Sequence, residues 1–160
     1  PTSDILCTAK AFGGGMPLGA FIAPNRIMSS LKTNPVLGHI TPFGGHPVCC
    51  AAGLAALEFI LSEGLMEQAD AKGAQYERRL AGHPAVREIR RTGLLMGVEF
   101  GDPALTQRIV LRAVERGLMT EWFLFRDTAM RIAPPLTITP AEIDESCDIL
   151  LDVLREVTGS

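Results

Sequence analysis

A helix with no polar side has to be covered on every side, and residues 48–61 of this chain read as such a helix. The stretch Val48-Cys49-Cys50-Ala51-Ala52-Gly53-Leu54-Ala55-Ala56-Leu57-Glu58-Phe59-Ile60-Leu61 is small and apolar nearly all round, with Pro47 suited to its first turn and Ser62-Glu63-Gly64 breaking it. The residues before it offer little cover. Residues 4–8 and 18–23 read as short apolar strands, 26–32 as a short helix, and 33–47 as an irregular Gly/Pro-rich segment. Two strands and one apolar helix lack the layers that a domain needs. Residues 1–60 are therefore expected to close a larger domain, and the chain is expected to be the tail of a longer protein.

The rest of the pattern differs. Residues 65–80 form an amphipathic helix ending at Ala81-Gly82-His83-Pro84. Residues 89–100 suggest a hairpin turned at Thr92-Gly93, and 104–115 a helix stopped at Arg116-Gly117. Residues 118–124 and 130–133 suggest strands around a polar turn at Arg126-Asp127-Thr128. Residues 140–156 form a closing helix with Thr139 as N-cap. An α+β unit over residues 61–160 is the expectation.

Composition narrows the partners. Of 160 residues, 47% are hydrophobic and 21% charged, with a net charge of −3, which suits a globular protein with a real core. That acidic balance argues against nucleic acid or an anionic membrane as partner. Arg87, Arg90 and Arg91 are expected to be a solvated helix end. No apolar run reaches the roughly 18 residues of a membrane span. Cys7, Cys49, Cys50 and Cys147 have neither zinc nor disulfide spacing, which points to buried thiols in a reducing cytoplasm. His39, His46 and His83 lack i, i+4 partners, so no metal site is expected.

One motif bears chemistry. Ala9-Lys10-Ala11-Phe12-Gly13-Gly14-Gly15-Met16-Pro17-Leu18-Gly19-Ala20 sets a lysine before a triple glycine. Dinucleotide binding fails on spacing, because Leu18 stands where G-x-G-x-x-G needs its last glycine. A P-loop fails because no Gly-Lys-Ser/Thr follows. Two readings remain open on the motif alone. Lys10 is either a solvated charge beside a loop, or an amine that holds a flat aldehyde in the room left by residues without a Cβ.

Two further segments accompany it: Thr41-Pro42-Phe43-Gly44-Gly45-His46-Pro47 and Met130-Arg131-Ile132-Ala133-Pro134-Pro135-Leu136-Thr137-Ile138-Thr139. In this order and at these separations, the three closely resemble the class III pyridoxal-phosphate aminotransferases, the acetylornithine, ornithine, lysine and 4-aminobutyrate group, over essentially the whole chain. The resemblance implies an α/β architecture, the PLP-dependent transferase fold type I. Residues 1–60 would end the large cofactor-binding domain and 61–160 would form the α+β C-terminal small domain. It also implies transamination from an amino acid or ω-amine to a keto acid such as 2-oxoglutarate, with pyridoxal 5'-phosphate as cofactor, in a homodimer with shared active sites.

The resemblance assigns roles residue by residue. Lys10 corresponds to the lysine that holds the cofactor through an imine and then shuttles a proton at the substrate carbon. Arg131 corresponds to the arginine that grips a substrate carboxylate. The family's phosphate-binding threonine, which reaches the phosphate across the dimer interface, immediately precedes an aromatic residue; here Pro42 precedes Phe43 and the threonine is Thr41. Either Thr41 takes over through a shifted loop, or this segment binds phosphate weakly, since proline offers neither a hydroxyl nor an N–H. Phe12 and Trp122 are expected to be core packing rather than pocket walls. The family's aspartate for the ring nitrogen, its stacking aromatic and its glycine-rich phosphate cradle lie upstream of the lysine, so a chain without them is expected to bind the cofactor poorly. An aminomutase or racemase of the same fold and a non-catalytic fragment are the rival readings. The identity of the amino donor is not legible.

Overall fold

A computed structural model describes residues 3–36 and 38–159; Pro1, Thr2, Ser160 and Leu37 of the irregular segment lie outside them. The chain divides into two units, Pro1–Glu63 and Gly64–Ser160.

In the first unit, β1 (Leu6–Thr8) pairs antiparallel with β2 (Ala20–Ile22), with Cys7 opposite Phe21. Both strands are shorter than their apolar runs. The loop between them contains a one-turn 3-10 helix, Lys10–Gly13. A short helix α1 (Asn25–Met28) runs into a 3-10 turn, Ser29–Leu31, and residues 32–46 follow as bends and turns where described. Helix α2 (Pro47–Ser62) has proline at its start, as its composition required. Its expected burial is not met within this chain. Gly53 is its one buried residue, while Val48, Leu54, Leu57, Phe59 and Leu61 are exposed. Two three-residue strands and a turn cannot enclose sixteen residues of helix.

Among the described residues, the buried hydrophobic side chains all lie in the second unit, from Leu65 to Leu154. Its sheet is antiparallel in the order β3-β4-β6-β5, with β3 Glu88–Thr92, β4 Leu95–Glu99, β5 Glu121–Phe123 and β6 Arg126–Ile132. Met96, Val98 and Met130 on the sheet pack with Leu80 of α3 (Leu65–Leu80), Ile109 and Val110 of α4 (Pro103–Glu115), and Ile143, Leu150, Val153 and Leu154 of α5 (Pro140–Thr158). Period-3.6 apolar stripes on the helices and alternation on β4 produce this layer.

Local chemistry sets the helix ends. The Asp102 carboxylate accepts the Leu105 N–H at 2.6 Å to cap α4. At α5, the Thr139 hydroxyl accepts the Glu142 N–H while Glu142 accepts the Thr139 N–H, a complete capping box. Thr139→Ala is expected to cost about 1 kcal/mol, seen as a lowered thermal midpoint with an unchanged circular dichroism spectrum.

Three expectations need correcting. Arg87, Arg90 and Arg91 do not form a helix end; they precede or lie on β3, where Arg91 bonds Glu77 at 2.7 Å and Asp70 at 2.6 Å. Of the four thiols, Cys147 alone is buried, Cys49 is intermediate, and Cys7 and Cys50 are exposed. Burial pushes the Cys147 thiol up to about 12, which keeps it inert at neutral pH. The third concerns the β5–β6 turn. It falls at Leu124-Phe125, both fully in solvent, and Asp127 and Thr128 are strand residues. Arg126 is drawn into the strand by an ion pair to Glu99 at 2.8 Å, and the Thr128 carbonyl accepts the Phe100 N–H.

Glu99 is the buried charge of this unit, its side chain 6% exposed. Burial pushes its carboxyl up. The Thr128 hydroxyl (which has no settled hydrogen-bond partner), Arg126, Arg90 and the Gly101 N–H outweigh that and hold it at about 2, against an ordinary 4.5. The folded form binds the proton at lower pH than the unfolded chain. The stabilisation is therefore complete above about 4.5 and fades as pH falls toward 2. Arg90 and Arg126 are half-exposed and screened by water, which leaves an expected loss of about 1–2 kcal/mol. Urea midpoints at pH 7 and pH 3 check this: Glu99→Gln should narrow the gap between them.

Candidate active site

Lys10 opens the 3-10 turn with φ +57°, a left-handed conformation that lysine rarely adopts. Such conformations persist where surrounding structure dictates them. Here the cause is visible in the next residues. Gly14, also left-handed at φ +58°, sits so close to α2 that a Cβ there would lie 2.4 Å from the Ala52 carbonyl oxygen. Gly53 of α2 returns the contact; its Cβ would lie 2.9 Å from the Phe12 carbonyl oxygen. The loop is thus clamped on the helix, backbone to backbone, with Lys10 exposed at its head. Of the triple glycine, Gly15 alone keeps its flank open, with nothing within 4 Å of a Cβ. The expectation that all three make room for a ligand is corrected: Gly13 and Gly14 serve close packing, against Leu18 and Ala52.

Thr41, Pro42 and Phe43 begin a tight turn closed by Gly44 N–H donating to the Thr41 carbonyl at 3.3 Å. Pro42 stands at the second position, where its fixed φ is favourable, which gives the departure from the family pattern a local reason. The Thr41 hydroxyl lies beneath the turn, 2.4 Å from where a Gly44 Cβ would be. Thr41 lines an open cavity of about 790 Å³ with Cys7, Phe21, Met28 and His39; Lys10 is not in its wall. Phe43 projects into solvent, 6.5 Å from the His46 ring.

In the second unit, Arg131 lies on β6 directly opposite Glu121 of β5, and their side chains are ion-paired. The Thr120 hydroxyl donates to the Arg131 carbonyl at 2.6 Å. Trp122, expected in the core, is on the edge strand and 37% exposed. Glu121 was missed in the sequence. A turn centred on Asp127 would set Phe123 opposite Arg131; the turn at Leu124-Phe125 together with the register shift between Trp122 and Phe123 sets Glu121 there. Among the described residues no group of three or more His, Cys, Asp or Glu side chains could hold a metal.

The model of the class-III aminotransferase family matches residues 1–154. The chain belongs to the class-III aminotransferases. An acetylornithine aminotransferase of Caldanaerobacter subterraneus subsp. tengcongensis is 39% identical over 158 residues, 96% of this chain and 38% of that protein. Among solved structures, the ornithine aminotransferase of Toxoplasma gondii, described as partially occupied by PLP, superposes with a TM-score of 0.83 at 31% identity, over 98% of this chain and 37% of that one. A thermostable (S)-enantioselective ω-transaminase of Thermomicrobium roseum gives 0.84 at 30% identity, covering 98% and 38%. This aminotransferase chain therefore has the mixed α/β fold of PLP-dependent aminotransferases, and spans about two-fifths of the relatives it matches. Among the described residues, no single helix is long and apolar enough to cross a membrane.

Two separate places in this class-III chain carry groups whose chemistry suits the family's cofactor. An exposed primary amine stands at Lys10 with the flank at Gly15 open beside it, and Thr41 places a hydroxyl under a glycine turn.

Proposed function

We propose that the whole protein is a PLP-dependent aminotransferase, of which this chain carries the lysine and the small-domain arginine. It moves an amino group from an amino acid or ω-amine of ornithine, acetylornithine or lysine type to a keto acid such as 2-oxoglutarate. Membership of the family supports the reaction class. The single structural observation that carries it is Lys10, held left-handed by a loop clamped on α2, because strain of that kind in a non-glycine residue accompanies function.

The cofactor, when bound, supplies an electron sink for the substrate carbon. The chain's own residues do the rest. Lys10 Nζ anchors the cofactor and, as a neutral amine, takes a proton from the carbon bearing the amino group and later returns it. The Arg131 guanidinium takes a substrate carboxylate in a two-point grip that fixes orientation as well as charge. Thr41 offers its hydroxyl to the cofactor phosphate across the dimer interface. The first unit is read as the end of the large domain and the second as the small domain. A homodimer in the cytoplasm completes the proposal, the latter in keeping with the exposed thiols of Cys7 and Cys50.

The chain has three lysines, Lys10, Lys32 and Lys72. That makes a direct test simple. Borohydride reduction of the whole enzyme with pyridoxal phosphate, followed by peptide mapping, should label Lys10 and leave the other two clean. Equal labelling of Lys32 or Lys72 would remove Lys10 from its role. A requirement for an external keto acid separates transamination from an aminomutase or racemase.

A further inference from the structure

Strand β6 and helices α3 and α5 surround a cavity of about 300 Å³ whose floor takes no part in the amino-group transfer. Tyr76, Met130 and Leu150 make the floor, each at most 4% exposed, and Met119, 94% exposed, marks the mouth. One wall is Pro134-Pro135 and Ile138, a rigid segment. Lys72 Nζ donates to the Leu136 carbonyl at 2.7 Å, and the Ile138 N–H to the Pro135 carbonyl at 3.0 Å. Arg131 borders the cavity as well, but its charge is answered by Glu121 on the neighbouring strand, so the lining asks for no ion. One polar feature stands on the floor. The Tyr76 and Ser146 hydroxyl oxygens are 2.8 Å apart, and Ser146 donates its single proton to the Ile143 carbonyl at 2.8 Å. The phenol proton therefore runs to Ser146, since the reverse would leave it buried without an acceptor. The Tyr76 oxygen keeps a lone pair that, among the described residues, no donor fills.

We propose that this cavity is a second binding site, for a small, uncharged, largely apolar ligand with one N–H or O–H group, which hydrogen-bonds to the Tyr76 oxygen. Small-molecule sites have this make-up, apolar walls with a few fixed polar groups. A volume at the lower end of their range admits one ring system rather than a long chain. Apolar contact with Met130, Ile132 and Leu150 supplies the drive. The Tyr76 oxygen supplies the direction, because a ligand without a donor would leave that buried lone pair unfilled. The proline wall is already in place, so binding orders little that is not ordered beforehand. Met130 and Ile132 flank Arg131 along β6, so an occupant packs against the strand that carries the arginine.

The test titrates the whole cofactor-loaded enzyme calorimetrically with indole and with benzofuran, which has the same shape with an oxygen in place of the N–H. Indole should bind with a Kd of about 1 mM or below. Benzofuran should bind roughly 3- to 10-fold more weakly, the span of one hydrogen bond. Tyr76→Phe should weaken indole by the same factor and leave benzofuran unchanged, so that the two probes become equal. A merely structural role for Tyr76 would move both probes alike. If indole does not bind the whole enzyme, or if Tyr76→Phe moves both probes alike or neither, the inference falls.

Discussion

Lys10→Ala in the whole enzyme should lower kcat by about 10³-fold or more, because the variant loses both the anchoring amine and the acid–base group at the substrate carbon. Steady-state rates with and without added methylamine check the assignment. An external amine can replace the lost proton carrier but not the tether, so partial rescue is the expected outcome. Lys10→Arg should be equally inactive and not rescued to wild-type rates, since guanidinium stays protonated. A variant that keeps more than a tenth of the wild-type rate would move the chemistry to another residue. Stability should barely change, or rise. Lys10 is exposed, and Lys10→Gly relieves the left-handed strain at φ +57°. A gain in thermal midpoint alongside lost activity would show that the strain serves function.

Gly73→Ala should be the most damaging small substitution in the second unit. At Gly73 α3 crosses the β3–β4 hairpin so closely that an added Cβ would lie 2.0 Å from the Gly93 carbonyl oxygen, backbone that cannot step aside. Arg91 pins the same crossing through Glu77 and Asp70, so the helix cannot lift away without breaking both pairs. Forced overpacking of this kind costs about 3 kcal/mol, which for a unit this size lowers the thermal midpoint by more than about 10 °C. Gly82→Ala is the control, because a Cβ there meets nothing within 4 Å. Calorimetry that finds the two variants equally stable would show that α3 does not seat on the hairpin at Gly73.

Legibility in the sequence followed the range of the forces involved. Helices α3, α4 and α5 were readable because their signals are local: apolar stripes mark all three, Arg116-Gly117 stops α4, and Thr139-Pro140 starts α5. The β5–β6 turn was not, since Arg126-Asp127-Thr128 looks like a turn on composition, and its strand placement depends on Glu99, twenty-seven residues away. Glu121 escaped with it, because cross-strand partners follow from register. Lys10 and Arg131 stood out by motif, yet the left-handed backbone at Lys10 and the ion pair at Arg131 follow from contacts that no run of residues displays. The role of Gly14 was misjudged for the same reason; its neighbour Ala52 belongs to another element.

The distribution of the core has a consequence for synthesis. Ile143, Cys147, Leu150, Val153 and Leu154, a large share of the fully buried side chains of the second unit, all lie on α5, which follows every strand of the sheet. Until α5 has left the ribosome, the sheet face bearing Met96, Val98 and Met130 has one of its covering helices missing. The hairpins can form as they emerge, but closure waits for α5, and in that interval an apolar face stands open to aggregation or to a chaperone. A chain stopped at Thr139 thus has no means of shutting this interior, however completely its sheet has formed.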